Sequence, residues 1–83
     1  MKVTLRFFSS LREQLGFSQL EYDTQAANLA LLRQELMQSS PAFSQALMSG
    51  KAIRMAINQE VCDESMLLSE GCEVAFFPPV TGG

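Results

Sequence analysis

The residues with the plainest chemical use stand at the end of the sequence, Pro78, Pro79, Val80, Thr81, Gly82 and Gly83. The diproline cannot extend a sheet, and the two glycines carry no side chains, so this stretch reads as a thin arm that fits a narrow channel in another protein. Its reactive group is the Gly83 carboxylate. An α-carboxyl titrates at about 3.3–3.7, so it is ionised at neutral pH and is a poor electrophile until a leaving group is attached. Joining it to AMP supplies that leaving group, and a sulfur donor that displaces AMP leaves a thiocarboxylate, a good nucleophile. The chain has no glycine-rich loop followed by Lys and Ser or Thr, and no cation cluster to hold a nucleotide. An activating partner must therefore use the ATP, and no cofactor is expected to be bound by this chain.

The other reactive side chains exclude more than they suggest. Histidine is absent from the 83 residues, which removes the commonest general base and the commonest transition-metal ligand. Cys62 and Cys72 are the only cysteines, whereas a thiolate metal site within one chain needs about four ligands. They read as two thiols packed as small apolar groups in a reducing compartment, and no metal site is expected. Asp63 and Glu64 are adjacent acids on an expected turn and, without a pocket to shift their pKa values, are not expected to act as an acid/base pair. Six Lys and Arg against nine Asp and Glu give a net charge of −3 without a basic run, which argues against nucleic acid. Apolar stretches of only a few residues give neither a secretory leader nor a membrane span, so a cytoplasmic location is expected. A chain this short buries a thin core and cannot also enclose a large cofactor pocket. It is not expected to be an enzyme by itself.

The elements that must carry the arm follow from hydrophobic periodicity. Lys2 to Phe8 alternates, with Val3, Leu5 and Phe7 on one face and Lys2, Thr4 and Arg6 on the other, as in a half-buried strand. Ser10 and Glu13 have capping-box spacing, Leu11 and Leu15 share a helix face, and Gly16 suits a left-handed helix end. Phe17 to Asp23 then pairs back on the first strand. Asn28 caps the main helix, which runs to about Ser39 with Leu29, Leu32 and Leu36 as its apolar stripe and Arg33, Gln34 and Gln38 facing water. Ser40 before Pro41 starts a short helix, edged by Phe43 and Leu47 and stopped at Gly50. Ala52 to Asn58 is a strand with Ile53, Met55 and Ile57 on one side, and Asn58–Gln59 turns into a brief strand around Val61 and Cys62. Met66 to Gly71 reads as a turn with local helix. Cys72 to Phe77 is the last strand, with Val74 and Phe76 inward and Phe77 exposed at the foot of the arm. This is an α+β domain over residues 1–79, about five strands in a mixed sheet on one main helix, with a carrier tail at 80–83.

The ending GCEVAFFPPVTGG, with FFSSLREQLG near the start and the Asn58–Gln59 turn, resembles the small-subunit family of molybdopterin synthase, which are ubiquitin-like β-grasp sulfur carriers. The resemblance covers essentially the whole chain, and the run Phe76 to Gly83 is far more specific than a bare diglycine. It implies that Gly83, preceded by Gly82, is adenylated by an E1-like adenylyltransferase and then thiocarboxylated from a cysteine desulfurase or rhodanese type of sulfur donor. The sulfur passes to a cyclic pyranopterin monophosphate inside the large subunit, in a heterotetrameric synthase. Cys72 stands where the family usually carries an acidic residue. Alternatives are a related carrier for thiazole or tRNA thiolation, a ubiquitin-like protein modifier, and a plain interaction domain.

The resemblance also implies a partner surface around Val61 and Phe77, continued by Pro78, Pro79, Val80 and Thr81. The physical argument agrees. Ordering four tail residues costs roughly 1–2 kcal/mol each, and burying one phenylalanine against a partner returns about 2–3 kcal/mol, so several apolar contacts at the arm's root are needed. Arg12 and Glu13 read as solvated charges on a helical turn. The five methionines show no common period and read as gap-fillers and surface scatter.

Overall fold

The computed structural model describes residues 1–48 and 52–79. The alternation of the first segment produces β1 (Lys2–Phe7), in which Val3, Leu5 and Phe7 are buried. Then come α1 (Ser9–Leu15), β2 (Gln19–Asp23), α2 (Leu29–Ser39), α3 (Pro41–Ala46), β3 (Arg54–Ile57), β4 (Glu60–Cys62) and β5 (Glu73–Phe77). The five strands form one sheet in the order β2-β1-β5-β3-β4. β1 and β5 are parallel neighbours at its centre, and the other pairs are antiparallel. This is the ubiquitin-like β-grasp expected from the sequence. Its central pair joins the two ends of the chain, which needs the crossover that α2 and α3 supply.

The helix that fills the grasp is specified locally and by packing. Asn28 Oδ1 accepts the Leu31 amide at 2.9 Å, and Leu29, Leu32 and Leu36 are all fully buried. Ser40 Oγ accepts the Phe43 amide at 3.2 Å and Pro41 follows it, which starts α3 and directs Phe43, Ala46 and Leu47 inward. α3 ends at Ala46, and Gly50 lies outside the described residues. Phe7 holds the core together, stacking on Phe76 at 5.6 Å between centroids and meeting Phe17 edge-on at 5.7 Å and Phe43 at 5.8 Å.

Two turns explain why particular residues sit where they do. Gly16 ends α1 at φ +88°, donating its amide to the Arg12 carbonyl at 2.9 Å. Asn58 and Gln59 both have positive φ, +50° and +71°, and join β3 to β4 as the tight hairpin whose twist suits the flanking strands. Asn58 tolerates this conformation and ties the hairpin to β5, since its Oδ1 accepts the Glu73 amide at 3.0 Å.

Three expectations are corrected. The Ser10–Glu13 capping box does not form: α1 starts directly out of β1, with Phe8 as the preceding residue and no side-chain cap. The reason is that the Phe8 amide is held by the Phe76 carbonyl at 3.2 Å, so Ser9, at φ +54°, makes the corner and Ser10 is already helical. Arg33 does not simply face water; its Nε donates to the Leu47 carbonyl at 2.7 Å and an Nη to that of Met48 at 2.9 Å, tying α2 to the end of α3. Met66 to Gly71 contains no helix. It runs across the start of α2, where the Met66 carbonyl accepts the Leu29 amide at 3.2 Å and the Glu64 carbonyl accepts that of Ala30 at 2.8 Å. The first amides of a helix lack internal acceptors, and this segment supplies them.

A polar latch joins β2 to α2. The Thr24 hydroxyl at 2.7 Å, the Gln25 amide at 3.2 Å and the Tyr22 hydroxyl all donate to the Glu35 carboxylate. Burial pushes the Glu35 pKa up, but these hydrogen bonds and the nearby N-terminal ammonium outweigh it and hold the group below its ordinary value. Tyr22 is pushed up to about 12, first by burial and then by the Glu35 carboxylate. Because the folded Glu35 pKa is depressed, its stabilisation is present above the unfolded value near 4.5 and is lost as the pH falls below it. Urea unfolding of Glu35→Gln should therefore show a lower midpoint at pH 7 and a weaker loss of stability between about pH 5 and pH 3 than the parent chain.

Candidate interface at the root of the tail

The strand register lays the outer face of the sheet out in rows. Arg6, Ala75, Ala56 and Val61 stand level across β1, β5, β3 and β4. In the next row toward the end of β5, Phe77 is directly opposite Arg54. One step beyond the last paired residues of β1, Phe8 comes level with Phe77. Ala75 and Ala56 are buried even on this outer face and form a flat floor, because their methyl groups lie below the larger side chains of neighbouring rows. The result is an apolar patch at the end of the strand that leads into the tail.

The sequence-predicted residues fall as follows. Val61 is 60% exposed and belongs to this face. Phe77 also belongs to it but is half-buried rather than exposed, since Phe8 and Arg54 flank it. Pro78 is half-buried and Pro79 exposed, and β5 ends just before them, as a diproline requires. Val80, Thr81, Gly82 and Gly83 lie outside the described residues. Phe8, 38% exposed, is the member that the sequence reading missed. The signal was available, because the alternation that turns Lys2, Thr4 and Arg6 outward also turns Phe8 outward.

The charged groups at the patch are unequally tied. An Arg6 Nη lies 3.6 Å from Glu73, its guanidinium carbon is 5.3 Å from the Phe8 ring centroid, and its Nε is buried without a hydrogen-bond partner. Arg54 is exposed, and its guanidinium makes no hydrogen bond or ion pair among the described residues. Elsewhere the reactive groups are quiet. The Asp63 carboxylate is occupied by the Ser65 amide at 2.8 Å and the Ser65 hydroxyl, which hold its pKa down. Cys72 is a buried core residue, and burial pushes the half-buried Cys62 thiol up, away from thiolate character. Arg12 and Glu13 are exposed on α1, and no described helix is long and apolar enough to cross a membrane.

Residues 5–83 match the model of the ThiS family, a match that runs through the four tail residues. The chain belongs to this family. A relative from Escherichia coli K12, named molybdopterin synthase sulfur carrier subunit, is 37% identical to it over 81 residues, covering 98% of this chain and 99% of that protein. Among solved structures, the ThiS-family fold described here resembles SAMP1 from Haloferax volcanii with a TM-score of 0.80 at 25% identity, over the full length of both chains. It also resembles a chain in the complex of subunits 1 and 2 of molybdopterin-converting factor from Helicobacter pylori, with a TM-score of 0.69 at 27% identity and full coverage of both chains.

Proposed function

We propose that this ThiS-family chain is the sulfur carrier of molybdenum cofactor biosynthesis, with residues 1–79 as the docking body and 80–83 as the arm. The observation that carries the reading is the family match through Gly83, joined to near full-length similarity to a molybdopterin synthase sulfur carrier subunit. The Helicobacter pylori complex supports a large-subunit partner. The activating enzyme, an E1-like adenylyltransferase, and the sulfur donor, of cysteine desulfurase or rhodanese type, are the remaining partners, in the cytoplasm. The chain itself binds no cofactor.

The chemistry follows from the carboxylate. A Gly83 carboxylate oxygen attacks the α-phosphorus of ATP on the activating enzyme, and pyrophosphate leaves. With hydrosulfide as donor, sulfur attacks the acyl carbon, the bond to AMP breaks, and a thiocarboxylate and AMP result. In the synthase the thiocarboxylate sulfur bonds to a carbon of the pyranopterin precursor as that carbon's bond to oxygen breaks, the oxygen keeping the electron pair. Water then cleaves the acyl–sulfur bond to leave the sulfur on the pterin and regenerate the Gly83 carboxylate.

The body's part is positional. Four residues span at most about 13–14 Å, so Gly83 reaches no farther than that from Pro79, and any enzyme that acts on it must contact the end of β5. Phe8, Phe77, Val61 and Pro78 are the apolar groups there. The test is intact mass after incubation with the E1-like enzyme, ATP and sulfide. A gain corresponding to one oxygen replaced by sulfur, mapped to the C-terminal peptide, is the expected result; adducts on lysines instead would make the chain a modifier, and no change would make it an interaction domain.

A further inference from the structure

We infer that Arg54 is a specificity-determining residue of the tail-root interface, and that the large subunit meets it with a carboxylate at the edge of its apolar socket. The inference rests on the proposed carrier function and deepens it. Its starting point is register: Arg54 lies directly across from Phe77, in the row that ends where the tail begins. The limit on tail reach forces a partner onto this row. A surface that covers Phe77 therefore comes up against the Arg54 guanidinium as well.

A guanidinium cannot be neutralised at neutral pH, and removing it from water without acceptors is costly. Among the described residues no carboxylate forms an ion pair with Arg54. Glu73, the nearest carboxylate on the outer face of β5, is the ion-pair partner of Arg6. Asp63 and Glu64 border the same groove as Arg54, but neither forms an ion pair with it, and Asp63 Oδ1 accepts from the Ser65 amide and hydroxyl instead. A carboxylate from the partner supplies the acceptor that Arg54 is not given within the described residues, since a planar fork of donors matches a carboxylate in two parallel hydrogen bonds. Arg6, pinned by Glu73 and by the Phe8 ring, is not available to meet a partner in the way that Arg54 is. The outer face thus carries one guanidinium tied to a carboxylate, Arg6, and one without an ion pair among the described residues, Arg54, beside the apolar patch. A guanidinium at this place favours a socket with a carboxylate at its edge over a neutral one of the same shape, which is discrimination rather than bulk affinity.

The test uses the full chain and the purified large subunit of molybdopterin synthase from the same source, titrated at NaCl concentrations from 50 to 500 mM, on the order of the range over which screening sets in. The parent chain should bind more weakly as salt rises. Arg54→Glu should bind at least about tenfold more weakly at 50 mM NaCl, and Arg54→Gln should show a flatter salt dependence than the parent, with Arg54→Lys intermediate. Unfolding midpoints of all three variants should match the parent, as a merely structural role would not allow. Parent-like binding of Arg54→Glu at low salt, while Phe77→Ala weakens the complex, would overturn the role of Arg54 and leave the carrier reading in place. A parent chain that does not bind the large subunit at all would overturn both.

Discussion

A chain lacking Gly83 is expected to accept and deliver essentially no sulfur, yet to unfold at the same temperature as the full chain. The two halves of this expectation have separate causes. Removal of one residue leaves a carboxylate, now on Gly82, but draws it back by about 3.3–3.6 Å. Misplacing a reacting atom by 1 Å costs on the order of a hundredfold, so the truncated arm should lose at least that much in both adenylation and sulfur transfer. Stability is untouched because the buried cluster runs from Val3 to Phe76 among the described residues and takes its energy from the sheet and α2. Intact mass after incubation with the activating enzyme, ATP and sulfide reads the first half, and thermal unfolding reads the second. Sulfur uptake by the truncated chain at the parent rate would mean that the acyl carbon is not that of Gly83, and the carrier reading would fail.

The sequence made the grasp legible because its strongest signals are local and agree with the packing. Val3, Leu5 and Phe7 alternate and are buried; Leu29, Leu32 and Leu36 repeat at helical spacing and are fully buried; Asn28 and Gly16 occupy the ends of helices where their chemistry is useful. What escaped was whatever depends on residues distant in sequence. Ser10 has a fitting cap pattern, but the Phe76 carbonyl holds Phe8 and moves the start of the helix. Met66 to Gly71 does turn, at Glu70–Gly71, but its expected local helix is absent because Met66 to Leu68 is held against the start of α2, with the Leu29 amide on the Met66 carbonyl and the Leu68 amide on that of Ala27. Arg33 looks like a solvent residue until the end of α3 offers it two carbonyl oxygens. The candidate interface shows the same division. Phe77 and Val61 were legible as outward residues, while the placing of Arg54 opposite Phe77 comes from the pairing of β3 with β5 and has no local sign.

Phe76 and Phe77 give the second large effect, because adjacent residues of one strand point to opposite faces. Phe76 is fully buried and stacked on Phe7, so Phe76→Ala removes a ring from the centre of the core. Such truncations cost about 3–5 kcal/mol. A domain of this size has a stability of roughly 4–12 kcal/mol, so the variant should be severely weakened or largely unfolded. Phe77 is half-buried on the outer face, where Arg54 and Phe8 flank it, and the core cluster does not include it. Phe77→Ala should lower the unfolding free energy by no more than about 1 kcal/mol, since only part of the ring is withdrawn from water in the isolated chain. With the outer face as the proposed interface, the rest of the ring should be buried in the complex, and a loss of about 1.5–3 kcal/mol there corresponds to roughly tenfold to a hundredfold weaker binding. Urea unfolding and titration with the large subunit measure the two quantities on the same protein. If Phe77→Ala destabilised the fold as much as Phe76→Ala and left binding unchanged, the outer face would be part of the structure alone, and the partner would have to reach the tail from elsewhere.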